Sequence, residues 1–579
     1  MLSMKKLLSL LLALSLVLAG CGTPPAETTA PEVTEINGAT QNGDGENVTH
    51  ISLDGADVYV EEGSGVYTDH DIVYYEAGHD FTYGEGLSAD EHTREEANAH
   101  TVIHITRPGT YRISGTMPAG QIAVDLGEDA KDDPEAVVTL ILDGVDMMCR
   151  VAPAIIFYNV YECGSDDPDT AGAVVDTSRA GANVVIADGS VNTVNGSYVA
   201  KIYKPDSVVL SEDGTEVADA KKLHKYDAAL YSRMSMNIWG GETGDGKLTI
   251  NAENEGLGTE LHLTVNGGNI TINSGNDGIN TNEDGVSVTT VNAGHLTVNV
   301  LGTTGEGDGI DSNGWLVING GTVEAYAHGF SADGGIDSDM GIHLNGGTVI
   351  AAGQMLDPIA EGDATYAVFR FSGTLPGGTT LTLKNGMGDP VMECTPVNDF
   401  SVLILSGEAL EPGTYTFWMG DIQLTGTAGM TGPGFPGGME GNMGAPGQMP
   451  GQFEGEPPEG DYQIPPQPQP GGDLTTQGTR SGDTPVSEDP DVEPMPGGPF
   501  GPGGLAGMNP PDMPMDPIES RPPEGDYEIP PQPGINPVPQ GGESGTFPDR
   551  NPSTEFVIAQ GGNYFSNVGA AQYTVMPIV

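Results

Sequence analysis

Between residues 261 and 350 apolar and polar positions alternate in short bursts, and the bursts return in step. Leu261-His262-Leu263-Thr264-Val265, Val288 to Val291, Leu316 to Ile318 and Ile342 to Leu344 each lead into a turn phrase. Ile270-Thr271-Ile272, Leu296-Thr297-Val298, Thr322-Val323 and Thr348-Val349-Ile350 each follow one. A period of two marks a strand, and Asn-Gly marks a turn. The turns Asn266-Gly267-Gly268, Asn292-Ala293-Gly294, Asn319-Gly320-Gly321 and Asn345-Gly346-Gly347 start 26, 27 and 26 residues apart. A second phrase keeps the same step: Asp277-Gly278-Ile279, Asp308-Gly309-Ile310 and Gly334-Gly335-Ile336, with Glu255-Gly256-Leu257 as an earlier copy. Repeats of this length without helical stretches predict an all-β fold, a right-handed parallel β-helix with about three strands per coil. Inward Ile, Val and Leu would stack as ladders, with Thr and Asn facing water. A propeller fits less well, because its blades need roughly forty residues or more. A sandwich array also ranks behind the β-helix.

The pattern changes along the chain and sets the expected domains. Val138 to Val145, Asn183 to Gly189 and Asp227 to Ser232 read as less regular coils, so the β-helix is expected over 50–360, with polar loops at 161–180 and 195–226. Over 361–427, strands such as Val368-Phe369-Arg370-Phe371 and Thr414-Tyr415-Thr416-Phe417 alternate with Gly/Pro turns. They predict a small antiparallel unit that caps the open end of the stack. Residues 428–552 are rich in Gly, Pro and Met, and a Pro-Pro-Glu-Gly-Asp-Tyr phrase at Pro457 recurs at Pro522. Such a segment is expected to be a disordered spacer. Apolar content returns over 553–579, which predicts a short β segment.

The N-terminus sets the expected location. Lys5 and Lys6 precede an apolar run, Leu7 to Val17, and Leu18-Ala19-Gly20-Cys21 reads as a lipobox. This predicts a signal peptide over 1–21 and a lipid on Cys21, followed by a linker over 22–49. The mature chain is then expected on the outer face of the cell membrane, with the lipid as its membrane contact. Of the three further cysteines, Cys149 and Cys163 are spaced for a useful disulfide, but buried free thiols are preferred.

Charge narrows the partners. The chain has 20 Lys+Arg against 82 Asp+Glu, a formal charge of -62. Nucleic acid is excluded as a partner on that balance. Residues 251 to 350 hold 13 Asp/Glu and no Lys or Arg. Acids at one turn of successive coils would stack about 4.8 Å apart, a repulsive arrangement unless a cation sits between them. Carboxylates, amide oxygens and turn carbonyls are the ligand set of calcium. The candidates are Glu255, Asn276, Asp277, Asn280, Asp308, Asp311, Asp337 and Asp339, with Asn282 and Asn313 as further oxygen donors; a solvated acidic face is the alternative. His262, His295 and His343 are read as strand residues at different phases, so these and His328 are assigned to surface or core-edge positions rather than to zinc. Trp239, Trp315 and Tyr326, with Phe330, are either stacking platforms for sugar rings or core aromatics.

Taken as an ordered set, the lipobox, the coil phrases, Pro108-Gly109-Thr110-Tyr111-Arg112-Ile113-Ser114-Gly115, Gln121-Ile122-Ala123-Val124-Asp125 and Val138 to Val145 resemble the carbohydrate-binding β-helix family of clostridial and related bacteria. Ala228 to Ser232 and the strands after 361 fit the same pattern, so the likeness covers roughly 50–427. The resemblance implies a surface protein that binds cellulose-like or pectin-like polysaccharide, on a pectate-lyase-like fold with calcium in its coils. Ala293, Gly334 and an insertion at 161–180 depart from the pattern, and the Pro/Met-rich tail lies outside it. A lyase would need an Arg or Lys base beside the metal. The coils between 248 and 369 supply none, and Arg233 and Lys247 are the nearest in sequence. No catalytic residue is therefore assigned. The expectation is a non-catalytic polysaccharide binder. A lyase or glycoside hydrolase is one alternative, and a structural envelope protein or adhesin is another.

Overall fold

The computed structural model describes residues 48–302, 307–360, 362–429 and 552–570. Cys21, most of the 22–49 linker and nearly all of the 428–552 segment lie outside these residues. The described chain is nearly all β, and its one α-helix is Arg94–Asn98, opened by a Thr93 and Glu96 capping box.

Three ladders of parallel strands carry the body. The first runs through Thr101–Ile105, Gly120–Asp125, Ile155–Asn159, Ala228–Ser232, Glu255–Thr259, Ile279–Thr281 and Ile310–Ser312. The second runs through Gly109–Met117, Val138–Met148, Ala182–Ile186, Met236–Gly240, Leu263–Val265, Val288–Val291, Trp315–Ile318 and Gly341–Leu344. The third runs from the end of Val138–Met148 through Val191–Gly196, Lys247–Ala252, Asn269–Ser274, His295–Val300 and Thr322–Tyr326 to Thr348–Gly353. From Glu255 onward the chain visits first, second and third ladder in turn and then starts again.

In-register pairing stacks like on like. Leu248, Ile270, Leu296, Val323 and Val349 form one buried column. Leu257, Ile279 and Ile310 form another. Each repeat contributes only a few apolar side chains to these columns, which is how a chain with 37% hydrophobic residues fills its core. Asn266, Asn292, Asn319 and Asn345 make an amide ladder, each Nδ2 donating to the preceding Oδ1 at 2.9 Å. The last glycine of each phrase has positive φ: 95° at Gly268, 94° at Gly294, 78° at Gly321 and 75° at Gly347. A Cβ on Gly294 would meet the Gly268 carbonyl oxygen at 2.6 Å. Asn292-Ala293-Gly294 is therefore a milder departure than it looks, because the ladder Asn and the positive-φ glycine are both kept.

Two polar segments differ in structure. Residues 161–180 form no strand, but 195–226 does: Val199–Tyr203 pairs antiparallel with Lys222–Tyr226, and Val209–Leu210 with Val217–Asp219. Their register shifts and sparse apolar content hide the alternation that sequence reading depends on.

Antiparallel pairing takes over at the C-terminal side. Phe400–Ser406 pairs with Thr348–Gly353, the last strand of the third ladder, and with Tyr366–Leu375. The segment Gly562–Ala570 lies parallel to Tyr366–Leu375 and antiparallel to Ile422–Ala428. Phe369, Phe417, Phe556 and Phe565 pack together in a second core, with Phe369 and Phe565 stacked at 5.3 Å. Of the 553–579 segment, the described residues contribute the strands Phe556–Ile558 and Gly562–Ala570, and 571–579 lie outside them.

Candidate functional site

The first ladder puts the acids in a row. Glu255 opens the strand Glu255–Thr259 and is buried, rather than sitting on a turn. Asn280 and Asp311 are register partners on adjacent strands. Asp337 and Asp339 follow the isolated bridge between Ile310 and Ile336, which continues the same ladder. Asp277 and Asp308 lie in the turns just before their strands. The Asp277 Oδ1 accepts from the Asp308 N–H at 2.8 Å, and the Asp308 Oδ1 accepts from the Gly334 N–H at 2.6 Å. Asp277 and Asp308 thus each tie their own turn to the turn of the next repeat.

Hydrogen bonding leaves oxygens over. Asn280 Nδ2 donates to Glu255 Oε1 at 3.1 Å and to Asp277 Oδ2 at 3.3 Å, which brings these three residues together. The buried oxygens Glu255 Oε2, Asn276 Oδ1, Asn280 Oδ1 and Asp337 Oδ1 meet no donor. A buried polar atom left unpaired costs about 1–3 kcal/mol. A cation would satisfy all four acceptors, whereas protons would satisfy only the two carboxylate oxygens.

The electrostatics give the same result. Burial, and then the charges of Asp337, Asp277 and Asp333, push the Asp308 carboxyl up to about 9. Burial and Asp357 push Asp337 up to about 8. Burial, then Asp339 and Asp357, push Asp311 up to about 6. Asp339 is also raised, by burial and then by Asp284 and Asp357. Glu255 is held well above its ordinary value by burial, then by Asp227 and Asp277. Four members of this group, Asp227, Asp284, Asp333 and Asp357, escaped the sequence reading because they stand outside the repeated phrase.

The donors match calcium in kind, since all are carboxylate or amide oxygens. Among the described residues no three His, Cys, Asp or Glu side chains form a ready-made metal cluster. The fit rests instead on the orphaned oxygens, two of them from Asn. Glu255, Asn276, Asp277 and Asn280 would hold one cation. Asp308, Asp311, Asp337 and Asp339 extend the row.

Basic residues absent from the coils arrive from outside them. The strand Lys222–Tyr226 brings Lys225, whose Nζ lies 2.9 Å from Asp227 Oδ2 and 3.2 Å from Asn282 Oδ1. A cleft of about 580 Å³ opens here, lined among others by Lys222, Lys225, Arg233, Glu260 and Asn282. Sequence spacing gave no sign of it, because Lys225 lies in the polar segment 195–226, outside the repeated phrases.

The aromatic candidates do not come together. Trp239 is buried on the outside of the second ladder against Ile141, Val185 and Ala187, and its Nε1 donates to Asn183. Tyr326 is buried in the second core and donates to Glu324. Neither offers an open ring face, which corrects their reading as stacking platforms: both fill gaps beside the ladders. Trp315 is half-buried and Phe330 is 87% exposed. His262 immediately precedes its strand rather than lying within it. It is buried, accepts from the Val288 N–H, and is pushed down to about 4 by burial. His295 is exposed, His343 is half-buried, and the buried His328 faces Ser331 and the Gly302 carbonyl. Cys149, Cys163 and Cys394 are free thiols, each pushed up to about 12 by burial.

Similar proteins place this region in context. A carbohydrate-binding domain-containing protein of Acetivibrio thermocellus is 31% identical over 188 residues, which is 32% of this chain and 46% of the relative. The chain therefore spans about half the length of that relative. A solved structure, the gadolinium derivative of the polysaccharide lyase-like protein from C. thermocellum, is 21% identical with a TM-score of 0.29; the match covers 54% of this chain and 90% of that one. Residues 99–368, which hold most of the three ladders and the whole acid row through Asp357, match the model of the family described as carbohydrate-binding domain-containing protein.

Proposed function

We propose that this chain is a non-catalytic polysaccharide-binding protein of the bacterial cell surface. The carrying observation is that the match to a carbohydrate-binding family falls on the ladders that hold the acid row. We read the three ladders as coils of a right-handed parallel β-helix. Support comes from the fixed order in which the chain visits them from Glu255 onward and from their in-register parallel pairing there. Lipid attachment at Cys21 and export are part of the proposal and rest on the lipobox.

Calcium is the proposed cofactor. When bound, it would supply positive charge that both stabilises the row and bridges to acidic groups of a glycan such as polygalacturonate. Glu255 and Asn280 would donate the oxygens they now leave unpaired. Cellulose-like glycan is the neutral counterpart of this ligand class.

A lyase reading meets a specific obstacle. Lys225 is the lysine that reaches the row. Burial alone would lower its pKa, but Asp227 together with Glu255 and Glu260 outweighs burial and the net shift is upward. A lysine held protonated in this way is a poor general base. The test is depletion of the protein by insoluble cellulose and by polygalacturonate, with calcium and with chelator, while new reducing or unsaturated ends are scored. Calcium-dependent depletion without new ends supports the proposal. New ends would make the chain an enzyme, and no depletion on either glycan would leave a structural envelope role.

A further inference from the structure

Cations are scarce in this chain, 20 against 82 acids, and most of the described ones, Arg150 and Lys247 among them, form no ion pair with a carboxylate. Two such cations line one cleft. Arg233 and Lys222 have no carboxylate within ion-pair distance among the described residues, whereas Lys201 pairs with Glu85 and Lys225 with Asp227. Lys201 and Lys225 lie close enough to Lys222 to repel its charge.

The cleft has two unlike walls. Lys222 and Lys225 come from the excursion strand Lys222–Tyr226, and Arg233 follows the strand Ala228–Ser232. Glu260 and Glu283 face them from the segments after the next two strands of the first ladder. Three acids line the cleft in all, yet none satisfies Arg233 or Lys222. Glu260 accepts from the Tyr231 hydroxyl, and Asp284 accepts from Asn313 Nδ2 at 2.8 Å. A volume of about 580 Å³ suits a small oligosaccharide segment.

We infer that this cleft binds a sugar carboxylate directly, without calcium: the carboxylate pairs with Arg233 and Lys222, and the sugar hydroxyls donate to the acidic wall. A guanidinium takes a carboxylate in a two-bond fork, while Lys222 adds a point charge. A neutral sugar would leave both cations unpaired. The sugar part of the inference rests on the polysaccharide reading above, and the charge part rests on the cleft alone.

Isothermal titration of the full chain with trigalacturonate and with cellotriose, each in chelator and in calcium, tests it. Trigalacturonate is expected to bind in chelator, at least tenfold tighter than cellotriose, and to weaken as salt rises. Arg233→Gln and Lys222→Gln should each weaken it at least tenfold, and Arg233→Lys should recover part of the loss. Arg233 is exposed and unpaired, so these variants should fold, which circular dichroism checks. Unchanged affinity in both Gln variants overturns the inference, as does cellotriose binding as tightly as trigalacturonate. Binding that appears only with calcium overturns the cleft and leaves the polysaccharide reading standing. Absence of all binding to either glycan in either condition overturns both.

Discussion

Asn280 donates one amide hydrogen to Glu255 and the other to Asp277, yet its own oxygen and the second Glu255 oxygen stay buried without a donor. The amide has spent both hydrogens on two acids, and no third donor reaches them. Calcium should fill this deficit. At a free concentration a hundredfold above its Kd, a bound cation adds about 2.7 kcal/mol of stability. Glu255→Gln should lose most of the calcium-induced rise in Tm measured by calorimetry, while its Tm in chelator falls little. An equal calcium response in variant and parent would remove Glu255 from the ligand set.

pH should act with a defined sign. The carboxyls of Asp308 and Asp337 are raised to about 9 and about 8, above the ordinary 3.8. A raised acid binds more protons folded than unfolded, so its contribution is fully present below about pH 4 and is lost as pH climbs toward the folded value. In chelator, stability should therefore fall between about pH 4 and 9. Calcium should flatten the fall, since it replaces the protons. Thermal melts across this range, with and without the metal, check both halves. A fall that calcium leaves unchanged would count against cation binding in the row.

The Asn ladder offers a separate test. Asn319→Ala removes one donated and one accepted bond, Asn319 to Asn292 and Asn345 to Asn319. The expected cost is about 1–3 kcal/mol in denaturant unfolding. Gly294→Ala should cost more than about 2 kcal/mol, because it combines positive φ with a backbone clash. Ala293→Gly, one residue earlier, should change stability by less than about 1 kcal/mol.

The C-terminal strands should be required for the second core. Phe565 stacks on Phe369 and meets Phe556 edge-on at 5.1 Å. Phe565→Ala is expected to cost about 3–5 kcal/mol. Truncation before residue 553 should expose the edges of Tyr366–Leu375 and Ile422–Ala428, and self-association by light scattering would report it.

Trp239→Ala should lower stability by about 3 kcal/mol with glycan affinity unchanged, because the ring is covered by Ile141, Val185 and Ala187. A selective loss of glycan affinity at unchanged Tm would return Trp239 to the binding surface.

Over 261–350 the sequence by itself determined the strands, the turn phrases and their register. These follow from local alternation and from a step of 26 or 27 residues, both written along the chain. It also placed Glu255, Asp277, Asn280, Asp308 and Asp311 on one recurrent turn or its adjoining strand, because in-register stacking turns a repeat in sequence into a row in space. Tertiary structure alone decided what meets that row from elsewhere. Lys225 arrives on a hairpin whose alternation is weak, and Arg233 and Lys222 share a cleft that no spacing announces. The strand Gly562–Ala570 pairs with Tyr366–Leu375 across nearly two hundred residues. Burial of Trp239 and Tyr326 is likewise a matter of packing, since an aromatic beside a strand reads the same whether its ring faces water or a neighbour. Periodicity is a local property and survives in the sequence, whereas burial and long-range pairing depend on which surfaces fold together.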